Sequence, residues 1–282
     1  MKTHRIGYLV LVTKVMKIEK QLENKMNSEE LRNKIKSGGT VFGTMLGLAR
    51  NPRWAGVLAG TGIDYAIVDT EHAAFSRGEV ADMCSALSRA GVVPIVRIPI
   101  PSSHYVTMAI DGGAQGILAP YCETVAQVKE VVGAARWRPL KGILLDMAME
   151  IGEFPSEETK EYLERINQNN IVMIGIESMP ALMSLEDMLN VEGIDVIFIG
   201  PNDLSVSMGI PNQYTRPEFE MAIKRVISTC SSRNVAVAIH LFDTKLTSKW
   251  IQEGAKFVLH SMDTHAMSTS LRHDFDELKQ IR

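Results

Sequence analysis

The feature that most narrows the fold is an alternation, sustained along the chain, between short apolar runs and segments with helical spacing. Eight runs bounded by Gly, Pro or polar residues read as strands: Val41–Leu46, Tyr65–Asp69, Val93–Ile98, Gly116–Pro120, Ile171–Glu177, Val196–Gly200, Val235–His240 and Phe257–His260. Between them, Arg77–Ala90, Val125–Ala135, Ser178–Leu189, Pro217–Cys230 and Thr244–Glu253 repeat their apolar residues with the period of a helix. Strands that alternate with helices are parallel and joined by crossovers. Runs such as AIVD, PIVRI, VMIGI and VIFIG are apolar almost throughout, as strands covered on both faces must be. Eight such units close into a TIM (β/α)8 barrel, and the 282-residue length suits one barrel domain over residues 26–282.

Residues 1–25 are expected to be an extension outside this fold. Ile6–Met16 is apolar between basic residues, but it lacks a small-residue cleavage site and is too short to cross a bilayer. A helix is expected to open just after Met26, with Ser28 as its cap and Glu29 and Glu30 in its first turn. The stretch from Trp137 to Asn170 is too long for a simple connection and holds a predicted helix around Ser156–Asn167. The tail after Asp263 is expected to form a last helix that packs on a neighbouring subunit.

A formal net charge of −3 with scattered Lys and Arg gives no footprint for nucleic acid or an anionic membrane, so the expected partners are small molecules. Cys84, Cys122 and Cys230 lie far apart, with no CxxC and no nearby paired histidines. They read as packed thiols of a cytoplasmic protein rather than a disulfide framework or a zinc site.

In such a barrel the chemistry sits at the C-terminal ends of the strands. Ionisable residues there are few: Asp69, Glu71 and His72 in VDTEH, Arg97 closing the third run, Glu177 closing the fifth, and Asp203 in IGPNDL after the sixth. Each alone has a plain structural reading. Asp69 and Glu71 can cap a helix or pair with a buried arginine, His72 can be a packed histidine, Arg97 can tie two carboxylates together, and Glu177 and Asp203 can be helix caps. Convergence of four strands on one rim favours chemistry. Two carboxylates, Glu177 and Asp203, with water and substrate oxygens completing the shell, suit Mg2+ or Mn2+ rather than zinc. A cation there polarises a ketone and stabilises an enolate. Arg97 adds fixed positive charge, and histidine is the residue type suited to shuttling a proton near neutral pH.

No lysine lies within the eight runs; Lys256 precedes the last one and Lys141 sits in the long excursion, which disfavours imine chemistry. No GxGxxG follows the first strand and no P-loop occurs, so nucleotide binding has no support.

Taken in order, LRNKIKSGGTVFGTML, GIDYAIVDTEHA, PIVRIP, DGGAQGILAP, IGIES and VEGIDVIFIGPNDLSVSMG resemble the HpcH/HpaI aldolase/citrate lyase family, in its 2-keto-acid aldolase branch, from about Ser28 to Asp263. The resemblance implies a pyruvate-binding barrel that cleaves 4-hydroxy-2-keto acids to pyruvate and an aldehyde, using Mg2+, Mn2+ or Co2+ held by Glu177 and Asp203. It further implies that Arg97 contacts the enolate oxygen, that His72 is the acid/base supported by Asp111, and that Gln115 borders the site; Asp69, Glu71 and Pro201 are expected beside them, bordering the substrate or backing these groups. Relatives of this type are homohexamers with an exchanged C-terminal helix. The run RWRPLKGILL departs from the family pattern, and LLDMAMEIGEF after it is unusually apolar and Met-rich for the mouth of a polar pocket. Two other readings stand beside this one: a citryl-CoA or malyl-CoA type lyase on the same barrel, and a barrel that binds a keto acid without catalysis.

Overall fold

The computed structural model describes residues 26–281; the extension expected at 1–25, with its apolar Ile6–Met16 segment, lies outside the described residues. Eight parallel strands close in sequence order into a barrel, as the alternation predicts: β1 (Val41–Leu46), β2 (Tyr65–Asp69), β3 (Val93–Arg97), β4 (Gly116–Ala119), β5 (Ile171–Ile176), β6 (Val196–Ile199), β7 (Ala236–Leu241) and β8 (Phe257–Met262). The helices are α1 (Ser28–Lys36), α2 (Trp54–Ala59), α3 (Arg77–Ala90), α4 (Ser103–Asp111), α5 (Val125–Arg136), α6 (Ile143–Glu150), α7 (Glu157–Asn167), α8 (Met179–Met183), α9 (Leu185–Met188), α10 (Pro201–Ser207), α11 (Pro217–Ser231), α12 (Thr244–Gln252) and α13 (Asp263–Lys279). None of the described helices is long and apolar enough to cross a membrane.

Strand alternation sorts the side chains into two cores. One parity, including Val41, Met45, Tyr65, Ile67, Ile95 and Phe198, fills the barrel interior, and Leu31 of α1 plugs its lower end. The opposite parity, including Leu46, Val68, Val96 and Ile197, packs under the surrounding helices. Continued upward, the interior parity reaches Asp69, Arg97, Glu177 and His240. The rule that buries isoleucines lower down therefore aims these polar groups at the barrel mouth.

The lower end is closed by a satisfied ionic network. Asp195, just before β6, accepts from Arg32 Nε at 2.7 Å, Arg136 Nη2 at 2.5 Å and the Val172 amide at 2.9 Å. Arg136 also donates to the carbonyls of Asn170 and Gly193. The cap of α1 is Asn27, in a capping box with Glu30, rather than Ser28. Ser28 instead uses its backbone N–H to reach Gln115.

The long excursion does not line the cavity at the barrel mouth; Leu140, Lys141, Gly142 and Leu145 instead border a separate cavity of about 340 Å³ beside α4. The Met-rich run forms α6, which packs Leu145 and Met149 against Gly133 of α5, where a Cβ would meet Met149 Cγ at 2.8 Å. The excursion leaves and returns at the lower end, with Asn167 donating to the Arg138 carbonyl. Of the apolar residues that looked out of place beside a polar substrate, Leu145 and Ala148 are buried in helix packing, while Ile143, Leu144 and Ile151 stay exposed.

Gly175 has a specific reason to lack a side chain. On the interior parity of β5, a Cβ there would lie 2.9–3.1 Å from backbone atoms of Ala119, Pro120 and Tyr121, the segment that bends across the barrel top. Gly175→Ala is expected to destabilise the protein by about 2 kcal/mol, since rigid backbone rather than a flexible side chain must give way. Urea unfolding checks this; an unchanged midpoint would show that the 119–121 segment yields freely.

Candidate active site

Asp69 and Arg97 close β2 and β3 in paired register, so their side chains meet inside the barrel mouth. Arg97 donates from Nε to Asp69 Oδ1 at 2.8 Å and from Nη2 to Oδ2 at 2.6 Å, a bidentate pair with both partners buried. Its third nitrogen, Nη1, lies 3.2 Å from Glu71 Oε2. Asp69 Oδ1 also accepts the amides of Glu71 at 3.0 Å and His72 at 3.3 Å, which folds the VDTEH turn back onto the rim. Burial pushes the Asp69 carboxyl up, but the Arg97 hydrogen bonds and charge with the two amides outweigh it, and Asp69 stays below the usual carboxylate range. Burial likewise works against the Arg97 charge, and its bonds to Asp69 hold that charge in place.

Glu71 is less well provided. Its Oε2 is buried without a well-formed hydrogen bond, and burial outweighs the Arg97 and His72 charges to raise its pKa. His72 Nε2 lies 3.7 Å from that oxygen, on a ring that is 65% exposed to the cavity side of the rim. The expected proton shuttle thus stands between a carboxylate and open space.

Glu177 follows β5 and is 6% exposed. Its Oε2 accepts the Tyr121 amide at 2.9 Å. Gly200, at the start of α10, leaves room for it: a Cβ there would lie 2.9–3.1 Å from the Glu177 side chain. Burial first, and then the neighbouring Glu71 and Asp203 charges, push the Glu177 carboxyl up to about 7. Asp203 stands exposed in the first turn of α10, not at its cap, which is Gly200. Pro201, at the first position of that helix, is buried beside it.

Asp69, His72, Arg97, Glu177, Pro201 and Asp203 all line one cavity of about 570 Å³ at the barrel mouth. Glu71 backs Arg97 without lining the cavity, and two other expected site residues lie away from it. Asp111 ends α4, a helix that runs back down the barrel, and pairs with Arg138 at 3.3 Å. Gln115 precedes β4, where its side chain accepts from the Ser28 amide and donates to Ser88. Both stand toward the lower end because the helix after β3 descends. The strand-end reading also overlooks His240 on β7, which lines the cavity with its ring 4.8 Å from that of Phe242. The signal was there, since His240 closes an apolar run as Arg97 and Glu177 do. Among the described residues, no group of three or more His, Cys, Asp or Glu is arranged to hold a metal. The three cysteines are buried and free, with burial raising each thiol to about 12.

Fold and rim together define a (β/α)8 barrel enzyme whose mouth gathers several carboxylates around one arginine. The chain belongs to the HpcH/HpaI aldolase/citrate lyase family, which matches over residues 45–270, and with it to the carbon–carbon lyases. It is 30% identical over 249 residues to a hydroxypyruvate/pyruvate aldolase of Deinococcus radiodurans, covering 87% of this chain and 88% of that one. It is 29% identical to a 2-keto-3-deoxy-L-rhamnonate aldolase of Salmonella gallinarum, covering 92% and 96%. An HpcH/HpaI aldolase structure from Desulfitobacterium hafniense superposes with a TM-score of 0.77 at 28% identity, covering 88% of this chain and 96% of that one.

Arg97→Met leaves two buried carboxylates without their cation and is expected to cost about 3 kcal/mol in urea unfolding, with part recovered by adding Asp69→Asn. Equal stability of Arg97→Met and the wild type would mean that the rim relaxes around the loss.

Proposed function

We infer that the protein is a divalent-metal-dependent aldolase that reversibly cleaves a 4-hydroxy-2-keto acid into pyruvate and an aldehyde. The observation that carries this reading is Glu177, a buried carboxylate crowded by two other acids and raised to about 7, beside Asp203 in the same cavity. Such a group calls for a cation. Two oxygen donors from protein, with the remaining positions left to water and substrate, match Mg2+, Mn2+ or Co2+ better than a closed zinc site. When bound, the cation would supply polarisation of a ketone oxygen, the requirement for enolate formation.

The chain's own residues supply the rest. Arg97, fixed by Asp69, presents positive charge to oxygen atoms at the mouth. In the cleavage direction the C4 hydroxyl loses its proton to His72, the C3–C4 bond breaks, and C4 leaves as the aldehyde carbonyl. The bond's electron pair becomes the C2–C3 double bond of the enolate, and C3 then takes a proton to give pyruvate. His72 is exposed enough on the rim to reach a substrate hydroxyl, and its Nε2 lies 3.7 Å from Glu71 Oε2. The names of the similar aldolases support the same chemistry. We further read the protein as a cytoplasmic homo-oligomer; α13 buries none of its residues and leaves Met267, Leu271, Phe275 and Leu278 exposed, as a helix that docks on another copy would.

Activity on 4-hydroxy-2-keto acids should vanish with a chelator and return with Mg2+, Mn2+ or Co2+. Glu177→Ala and Asp203→Ala should each lower kcat/KM by at least about a hundredfold. Full activity in the double variant, or cleavage of CoA thioesters alone, would overturn the reading.

A pH dependence follows from the raised Glu177. In the metal-free protein Glu177 holds its proton up to about pH 7, and a metal must displace it. Mn2+ affinity measured by calorimetry should therefore rise by about tenfold per pH unit up to about pH 7 and level off above it. The same shift makes the metal-free protein lose stability as pH rises from the ordinary glutamate range through about 7. An affinity flat across that range would rule out Glu177 as a ligand.

A further inference from the structure

His240 is a polar side chain of the mouth to which the aldolase reading gives no role. It stands at the top of β7 on the interior parity and lines the cavity with Arg97, Glu177 and Asp203. Its Nε2 lies 2.9 Å from the carbonyl oxygen of Ser261, and a carbonyl only accepts, so Nε2 carries the ring's hydrogen. Nδ1 has no hydrogen-bonding partner among the described residues and is not sealed from the cavity. A neutral ring held this way offers its cavity one bare lone pair. Burial drives the ring's pKa down to about 4, overcoming the Ser261 hydrogen bond that raises it, and the nearby Arg97 charge adds to the fall.

The backbone is distorted to make this contact. Ser261 adopts φ +60°, a left-handed conformation unusual for a residue with a side chain. It sits where β8 carries one residue more than its partner β1, with Gly43 opposite Leu259 and Met45 opposite Met262. Bulges of this kind re-aim groups next to active sites. Here the bulge delivers a carbonyl to His240 Nε2.

Charge narrows what the lone pair can meet. Asp69, Glu177, Asp203 and Asp243 line the cavity, and Arg97, its one Lys or Arg among the described residues, is already bound to Asp69. With Glu177 and Asp203 given to the cation and Asp69 to Arg97, a second carboxylate on the aldehyde arm would find Asp243 and a lone pair, with no Lys or Arg among the described lining residues left to pair with it. A hydroxyl can donate to that lone pair.

We propose that His240 is a specificity-determining residue that accepts a hydrogen bond from the hydroxyl of a short, uncharged hydroxyaldehyde, so that the enzyme prefers hydroxyaldehydes to alkyl aldehydes and to semialdehydes bearing a carboxylate. The assignment rests on the aldolase reading and deepens it by naming the class of aldehyde. No bond is made or broken by His240.

The test supplies the full chain with pyruvate and Mg2+ and compares glycolaldehyde with propanal, which has a methyl group in place of the hydroxyl. Wild type is expected to favour glycolaldehyde in kcat/KM by about tenfold, mostly through KM, and to place succinic semialdehyde below it. His240→Leu should bring the ratio of glycolaldehyde to propanal close to one. His240→Gln, whose amide can donate to Ser261 and still accept from substrate, should keep most of it. Because the ratio is taken within one enzyme preparation, partial loss of folded protein cancels. Should His240→Leu yield no folded protein, His240→Phe, which keeps an aromatic ring beside Phe242, reads the same ratio. A wild-type ratio near one, a preference for succinic semialdehyde, or an unchanged ratio in the apolar variants overturns the proposal. Exchange of pyruvate methyl protons with solvent by wild type, followed by NMR, separates the two levels. Exchange without hydroxyl discrimination overturns the role of His240 alone, and absence of exchange overturns the aldolase reading and this assignment with it.

Discussion

The rim is organised by the two parallel hydrogen bonds between Arg97 and Asp69. Register places both residues in the same layer of the barrel, and parity turns both inward. Neither charge would be tolerable there alone, because taking a carboxylate or guanidinium out of water costs several kcal/mol. Joined in a planar fork, they form a rigid unit whose third guanidinium nitrogen also reaches Glu71. A lysine could not serve in its place, since a point charge fixes neither the plane of Asp69 nor the position of Glu71. The turn carrying His72 is fixed by the same carboxylate, through the two amides that Asp69 Oδ1 accepts. What remains is a deficit of positive charge: Glu71, Glu177 and Asp203 share a mouth whose arginine is already engaged.

The two ends of the barrel show how pairing separates structure from chemistry. At the lower end Asp195 receives two arginines and a backbone amide, and Arg136 spends its remaining donors on carbonyls. Each charged group of that network has an opposite. At the upper end Glu71 keeps an oxygen without a well-formed bond, Glu177 is pushed toward protonation, and His240 holds a lone pair open. Groups left unmatched in a buried place carry free energy that a ligand can release.

Much of this was legible in the sequence because barrel strands announce themselves twice, as apolar runs and as regular spacing. All eight runs became strands within about a residue or two of their expected ends. The acids closing those runs were visible for the same reason, since a charge at the end of an apolar run needs an explanation. Three things were not legible. Asp111 and Gln115 carry motif resemblance, but the downward path of α4 places them away from this chain's mouth, and a linear motif does not record which end of a barrel a residue reaches. The LLDMAMEIGEF run looked like a pocket wall, because an apolar stretch does not reveal whether it faces a ligand or another helix; Gly133, ten residues before the start of α6 in the sequence, shows that Leu145 and Met149 face a helix. His240 closes an apolar run and so could have been found, but its tie to Ser261 could not, because the bulge that gives its ring a partner appears only in the pairing of β1 with β8.

That bulge also works as a shift of reading frame within the strand. Up to Leu259, odd-numbered residues of β8 face the barrel interior. The extra residue breaks the count, so that Met262, an even position, lines the cavity. The wall of the pocket on this side is thus set by the number of residues in β8 as well as by their identity. A single insertion or deletion near Ser261 would exchange which side chains meet the substrate while leaving the barrel below it intact. Length variation at one strand end gives a barrel of this kind a way to acquire a differently lined pocket in one step, without passing through a series of point substitutions.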